Sequence, residues 1–186
     1  PILLQVRRRL PEVLVRSTSP ELRAMVIVFM GAAGAGKTTV GRRLAKQLAW
    51  PFLDGDALHP PENIAKMSRG TPLTDDDRRP WLQALRESMH GWIAQDVNAV
   101  LAASLLTRGH RAAVLAGDEA QVRLVYLRVS PSLLRERLTV RTSHFAGVPL
   151  LESQLALLQE PQNALVLDGS QPVEELVQAI RRSFHL

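Results

Sequence analysis

The chain has 186 residues, 46% of them apolar and 22% charged, with no cysteine. That is material for one well-cored domain, and the composition is ordinary for a globular protein. It excludes disulfides, thiolate metal sites and a cysteine nucleophile, and no apolar stretch approaches a membrane span. The net charge of +5 invites a nucleic-acid reading, yet aromatic residues make up only 4% of the chain. Arg7, Arg8, Arg9, Arg16 and Arg23 gather at the start, against Glu12 and Glu21. No basic face is interleaved with aromatics, so neither nucleic acid nor membrane is expected as a partner.

Residues 1–24 are expected to be an extension, irregular or a short helix, broken at Ser17-Thr-Ser-Pro20. Its two glutamates argue against an organelle presequence. From Met25 onward strand and helix signals alternate, the pattern of an α/β fold with a mostly parallel sheet. Met25–Met30 is a run of six apolar residues, as suits a buried parallel strand. Gly31-Ala-Ala-Gly-Ala-Gly-Lys-Thr38 follows, the P-loop pattern G-x-x-x-x-G-K-[ST] between a strand and a helix over about 37–48.

This motif predicts a nucleoside triphosphate site. Gly31, Gly34 and Gly36 let the backbone turn so that the N–H groups of Gly31, Ala32, Ala33, Gly34, Ala35, Gly36, Lys37, Thr38 and Thr39 surround a phosphate chain. Lys37 reaches the β- and γ-phosphates, the Thr38 hydroxyl holds Mg²⁺, and the positive helix end adds to the same anion site.

Trp50-Pro-Phe-Leu53 is a short second strand ending at Asp54-Gly-Asp56. Ligands of open α/β sheets bind at such carboxyl-terminal strand ends. Period-two spacing is expected to send both carboxylates to one side. Asp54 is assigned to Mg²⁺ and Asp56 to the proton of an attacking hydroxyl; a plain strand-terminating turn is the alternative. A polar, turn-rich segment is expected from Leu58 to Pro80. There Pro80 opens a helix carrying Leu82, Leu85, Met89, Trp92 and Ile93 at helical spacing.

Val97–Ala103 reads as a strand, Leu105–Leu115 as helix on balance, and Val122–Val129 as a strand. Ser130 caps a helix with Pro131 at its first position, running to about Val140. A polar segment, 141–149, leads to a helix over 150–159. A last strand follows over 164–168, then a closing helix over 173–184.

The segment after the second strand carries a longer pattern. His59, Pro60, Asn63, Lys66, Met67, Gly70, Pro72, Leu73, Asp75, Asp77, Arg78, Pro80, Trp81 and Leu82 fill every position of H-P-x-x-N-x-x-K-M-x-x-G-x-P-L-x-D-x-D-R-x-P-W-L. On this string the chain resembles the gluconokinases, small P-loop carbohydrate kinases. Arg137, Arg141, His144 and Phe145 match that family's lid entrance, and Ser153-Gln154 with Leu158 and Pro161 its following helix and turn.

The resemblance implies a three-layer α/β/α P-loop kinase fold similar to the shikimate and nucleoside-monophosphate kinases, with a substrate-binding insert at about 57–80 and a lid at about 141–149. It implies transfer of the ATP γ-phosphoryl group to the 6-hydroxyl of D-gluconate, giving 6-phosphogluconate. It also implies Mg²⁺, a homodimer, a cytoplasmic setting and service to the pentose-phosphate or Entner–Doudoroff routes.

A polyhydroxy acid needs hydrogen-bonding groups and a cation at its carboxylate. His59, Lys66, Arg69 and Arg78 are the candidates, Arg78 first because guanidinium grips a carboxylate with two parallel bonds. An ion pair with Asp75 or Asp77 is the alternative for Arg78, a solvated helix face for Lys66, and a turn cap for His59. Asp75–Asp77 reads as helix-start capping rather than metal binding. Arg141, one helical turn from Arg137, is a candidate to stabilise the transferring phosphoryl group, with plain surface charge as its alternative. The family's lysine position is Thr107 here, its tyrosine position His110, and an acidic one Ala112. Arg108 is the candidate to replace the lost cation. Two other readings remain open: a related kinase acting on another hydroxy acid or sugar, and a weakly active nucleotide-binding protein.

Overall fold

The computed structural model describes residues 24–140 and 148–186. Its five strands are β1 (Val26–Met30), β2 (Phe52–Asp54), β3 (Ala99–Ala102), β4 (Val122–Arg128) and β5 (Leu165–Asp168). They form one sheet in the order β2-β3-β1-β4-β5, and every pairing is parallel. Among the described residues the helices are α1 (Lys37–Leu48), α2 (Pro61–Ser68), α3 (Asp75–Ala94), α4 (Arg108–Leu115), α5 (Pro131–Val140), α6 (Val148–Leu157) and α7 (Val173–Phe184). A 3₁₀ turn, Gly55–Leu58, follows β2.

Central β1 is buried at every residue, which is why its sequence is continuously apolar rather than alternating. Its side chains divide by parity. Ile27 and Phe29 enter a core with Val40 and Leu44 of α1 and Leu176, Val177 and Ile180 of α7. Val26, Val28 and Met30 enter a second core with Trp81, Leu85 and Met89 of α3 and Val114 of α4. Helices thus cover both faces of the sheet, giving the expected three layers. No described helix is long and apolar enough to cross a membrane.

Four expectations need correction. Leu58–Pro80 is not merely turn-rich, because α2 lies within it; eight residues with one buried side chain per turn, Asn63 and Met67, are too few to announce a helix. Pro80 lies inside α3 rather than opening it. The helix starts at Asp75, where Thr74 and Asp77 form a reciprocal capping box that outweighs the proline. α4 begins at Arg108 instead of Leu105, because Thr107 caps it by accepting from the His110 N–H. α6 begins at Val148, earlier than expected.

Candidate active site

Strand β1 delivers the chain to the sheet's carboxyl-terminal edge, where it turns at Gly31. The φ of +142° there suits glycine, and a Cβ would stand 2.9 Å from the Leu127 carbonyl oxygen. Gly34 and Gly36 also have positive φ, so the three expected glycines each occupy left-handed backbone. The loop closes on the amino end of α1. Lys37 Nζ donates to the carbonyls of Gly31 and Ala32, at 2.9 and 3.0 Å. Burial pushes its pKa down, while the negative charges of Asp56 and then Asp54 act in the opposite sense. The charges of both carboxylates are thus felt at the P-loop ammonium.

Asp54, the last residue of β2, accepts a hydrogen bond from Thr38 Oγ1 at 2.8 Å. Its other oxygen accepts from the Asp56 N–H at 3.2 Å. The period-two argument for Asp56 fails, because Asp56 is in the 3₁₀ turn and not the strand. The turn nonetheless brings its half-buried carboxylate to Lys37 and His59, and no described residue donates a hydrogen bond to it. Gly55 is required between them: a Cβ there would lie 2.8 Å from both the Ala102 oxygen and a Leu85 methyl.

Beside this cluster is a cavity of about 40 Å³ lined by His59, Arg78, Ser104, His110, Leu150 and Gln154, among others. Trp81 also lines it. The indole N–H donates to the Gly55 carbonyl at 2.8 Å, and the ring stacks on His59 with centroids 4.6 Å apart. His59 Nδ1 is buried without a partner. Burial lowers the His59 pKa, Asp56 opposes that shift, and Arg78 adds to it. Among the described residues the Arg78 guanidinium meets only Asp75, at 3.3 Å, through a carboxylate 91% exposed. A long contact to so exposed a carboxylate contributes little, so Arg78 keeps its donors for an anion. His110 Nε2 is 3.9 Å from the same Asp75 oxygen.

The other candidates divide. Lys66 Nζ is 2.6 Å from Asp77, whose carboxyl is pulled down to about 2 chiefly by that hydrogen bond. It serves the start of α3. Arg69 ends α2 as an exposed residue. Arg108 does not replace the missing lysine. It is exposed at the start of α4 and lines a different cavity with Arg111, Glu119 and Glu160. Arg141, His144 and Phe145 lie outside the described residues. Arg137 donates to the carbonyls of Gly34, at 3.2 Å, and Gly169, at 2.9 Å, so it straps the P-loop to the end of β5. With Gly36, Thr39 and Gln171 it lines a further cavity of about 390 Å³ on the loop's outer side.

Sequence reasoning passed over Gln154, Ser104 and His110 as cavity residues. Gln154 Oε1 accepts from the Ala33 N–H of the P-loop at 2.7 Å. A signal was present: Gln154 follows Leu150 by one helical turn and so shares its face.

Comparison with known proteins agrees with this geometry. A family model described as an AAA domain matches residues 26–161. The gluconokinase of Gluconobacter oxydans (strain 621H) is 45% identical over 148 residues, covering 77% of this chain and 80% of that protein. The crystal structure of a gluconokinase from Sinorhizobium meliloti 1021 superposes with a TM-score of 0.73 at 41% identity, over 84% of this chain and 89% of that one. That of a sugar kinase from Janibacter sp. HTCC2649 gives 0.79 at 38%, over 86% and 93%. Shikimate kinase from Bacteroides thetaiotaomicron, at 19% identity and a TM-score of 0.59 over 87% and 99%, shares the fold alone. With the P-loop, the paired aspartates and the uninterrupted string from His59 to Leu82, these likenesses identify the chain as a member of the gluconokinase family.

Proposed function

We propose that the protein transfers the γ-phosphoryl group of ATP to the 6-hydroxyl of D-gluconate, giving 6-phosphogluconate and ADP. The observation that carries this reading is that the Asp56 charge acts both on Lys37 of the P-loop and on His59, which lines the cavity that also holds Arg78. Family membership supports the acceptor.

The N–H groups of Gly31, Ala33 and Ala35 are bonded to Ser104, Gln154 and Ala32, so the remaining P-loop amides and Lys37 hold the β- and γ-phosphates, and the cavity beyond Thr39 and Arg137 suits the nucleoside. Thr38 and Asp54 fit Mg²⁺, since their hydrogen-bonded oxygens present the hard donors this ion takes. Bound there, the ion neutralises charge on the phosphates. Arg78 pairs with the gluconate carboxylate in place of exposed Asp75, and His59 hydrogen-bonds the polyol. Asp56 accepts the 6-hydroxyl proton as the new bond from O6 to γ-phosphorus forms. The bond from that phosphorus to the β,γ-bridging oxygen breaks, and ADP leaves with the electron pair.

We assign acceptor binding to an insert over about 57–80 and the lid to about 141–149, with Arg141 as the candidate to stabilise the transferring group. A homodimer acting in the cytoplasm, supplying a pentose-phosphate-type route, completes the reading. The test is ADP release from Mg-ATP with gluconate and a panel of other sugar acids and sugars. Gluconate-dependent release is expected; release with another acceptor only, or nucleotide binding without acceptor-dependent release, overturns the assignment.

A further inference from the structure

Gln154 touches both halves of the site. Its carbonyl oxygen is held by the Ala33 N–H at 2.7 Å, a short bond to a loop whose backbone cradles phosphate. The same side chain lines the cavity containing His59, Arg78 and His110. Its amide nitrogen carries two N–H donors, and no described residue accepts from either. The cavity, at about 40 Å³, has room for roughly one water molecule. A six-carbon acid is larger than this, so the cavity receives only part of it, and Gln154 is the polar part of the lining contributed by α6. Leu150, one turn earlier, is the apolar part.

We propose that Gln154 is a positioning residue that couples acceptor binding to the P-loop: its NH₂ group donates to a hydroxyl of the acid while its oxygen, holding the Ala33 N–H, fixes the course of the P-loop backbone. The coupling is energetic and reciprocal. Whatever acceptor binding does to favour the Gln154–Ala33 arrangement, nucleotide binding must return to the acceptor in equal measure. The inference rests on the acceptor proposed above. It invokes no charge on Gln154, so it differs from electrostatic roles assigned to Arg78 or Lys37.

The test uses the full chain and two variants, Gln154→Met and Gln154→Glu. Wild-type turnover with gluconate is measured first, so that a wrong acceptor is recognised independently of the variants. Dissociation constants for a non-hydrolysable ATP analogue with Mg²⁺ are then measured with and without saturating gluconate, alongside gluconate KM and kcat. Gln154→Met removes both bonds at similar length. It is expected to raise gluconate KM about tenfold, the scale of one lost hydrogen bond, and to abolish the gluconate-induced gain in nucleotide affinity. Affinity without gluconate is expected to fall by no more than about tenfold, the scale of the lost Ala33 bond. Gln154→Glu still accepts from Ala33 but donates nothing, and is expected to lose the gluconate effect as well. Thermal unfolding checks that each variant is folded.

Unchanged gluconate KM in both variants overturns the proposal. So does a nucleotide affinity that falls equally with and without gluconate, which marks Gln154 as a strut of the P-loop. If Gln154→Met fails to fold, a Gln154→Glu variant that keeps normal gluconate KM and normal synergy overturns it alone.

Discussion

Asp54 and Asp56 are two residues apart and chemically alike, yet their surroundings separate them. Asp54 spends its oxygens on Thr38 and on a backbone amide, whereas Asp56 has no described donor and faces Lys37 and His59. The Asp54 oxygens are already taken, and those of Asp56 are open to an incoming hydroxyl. Asp56→Asn is thus expected to lower kcat by about 10²- to 10⁴-fold, with nucleotide affinity little changed. Steady-state kinetics beside nucleotide titration checks this; normal turnover removes Asp56 as the base. Arg78→Ala is expected to raise gluconate KM by about 10- to 100-fold, the range for losing a charge-assisted hydrogen bond. Unchanged KM would place the acid's carboxylate elsewhere.

Helix α3 connects the acceptor cavity to the surface, and its amino end is where its position is set. Thr74 and Asp77 satisfy each other's backbone N–H groups, and Lys66 of α2 holds Asp77 from the side. Thr74→Ala is expected to cost about 1 kcal/mol of stability, read from denaturant unfolding. Acid should act on the same joint. The Asp77 carboxyl is pulled from its ordinary 3.8 to about 2, so the folded state binds its proton less readily than the unfolded chain. The stabilisation is complete above pH 3.8 and is lost as pH falls toward about 2. Asp77→Asn is expected to flatten that part of the pH–stability profile; an unaltered profile would mean the ion pair with Lys66 contributes nothing.

The parallel sheet gathers elements distant in sequence at one edge, and the histidines there report on its charge balance. Burial lowers the pKa of His110. Arg78 and Arg111 lower it further, whereas Asp75 opposes them. His59 is lowered for the same first reason. Both are held neutral by the fold, so stability is fully present above pH 6.5, their ordinary value, and declines as pH falls below it. The midpoint of thermal unfolding is accordingly expected to drop between about pH 7 and about pH 5.5, and His110→Gln to reduce the drop. A pH-independent midpoint over that interval would contradict the burial argument. Arg137 acts across a similar sequence distance, tying Gly34 to Gly169.

Local chemistry was legible in the chain without coordinates. The P-loop, the strand before it, the bounds of α1 and α7, and the paired aspartates follow from glycine, charge and apolar spacing within a dozen residues. The family string made the acceptor readable as well. Pairings between distant segments were not. That Lys66 belongs to Asp77, that Arg108 faces another cavity, and that Gln154 reaches Ala33 across 121 positions depended on how helices pack over the sheet edge. Backbone preference acts between neighbours in the chain. The partner of a long polar side chain is chosen by burial, which only the assembled layers define.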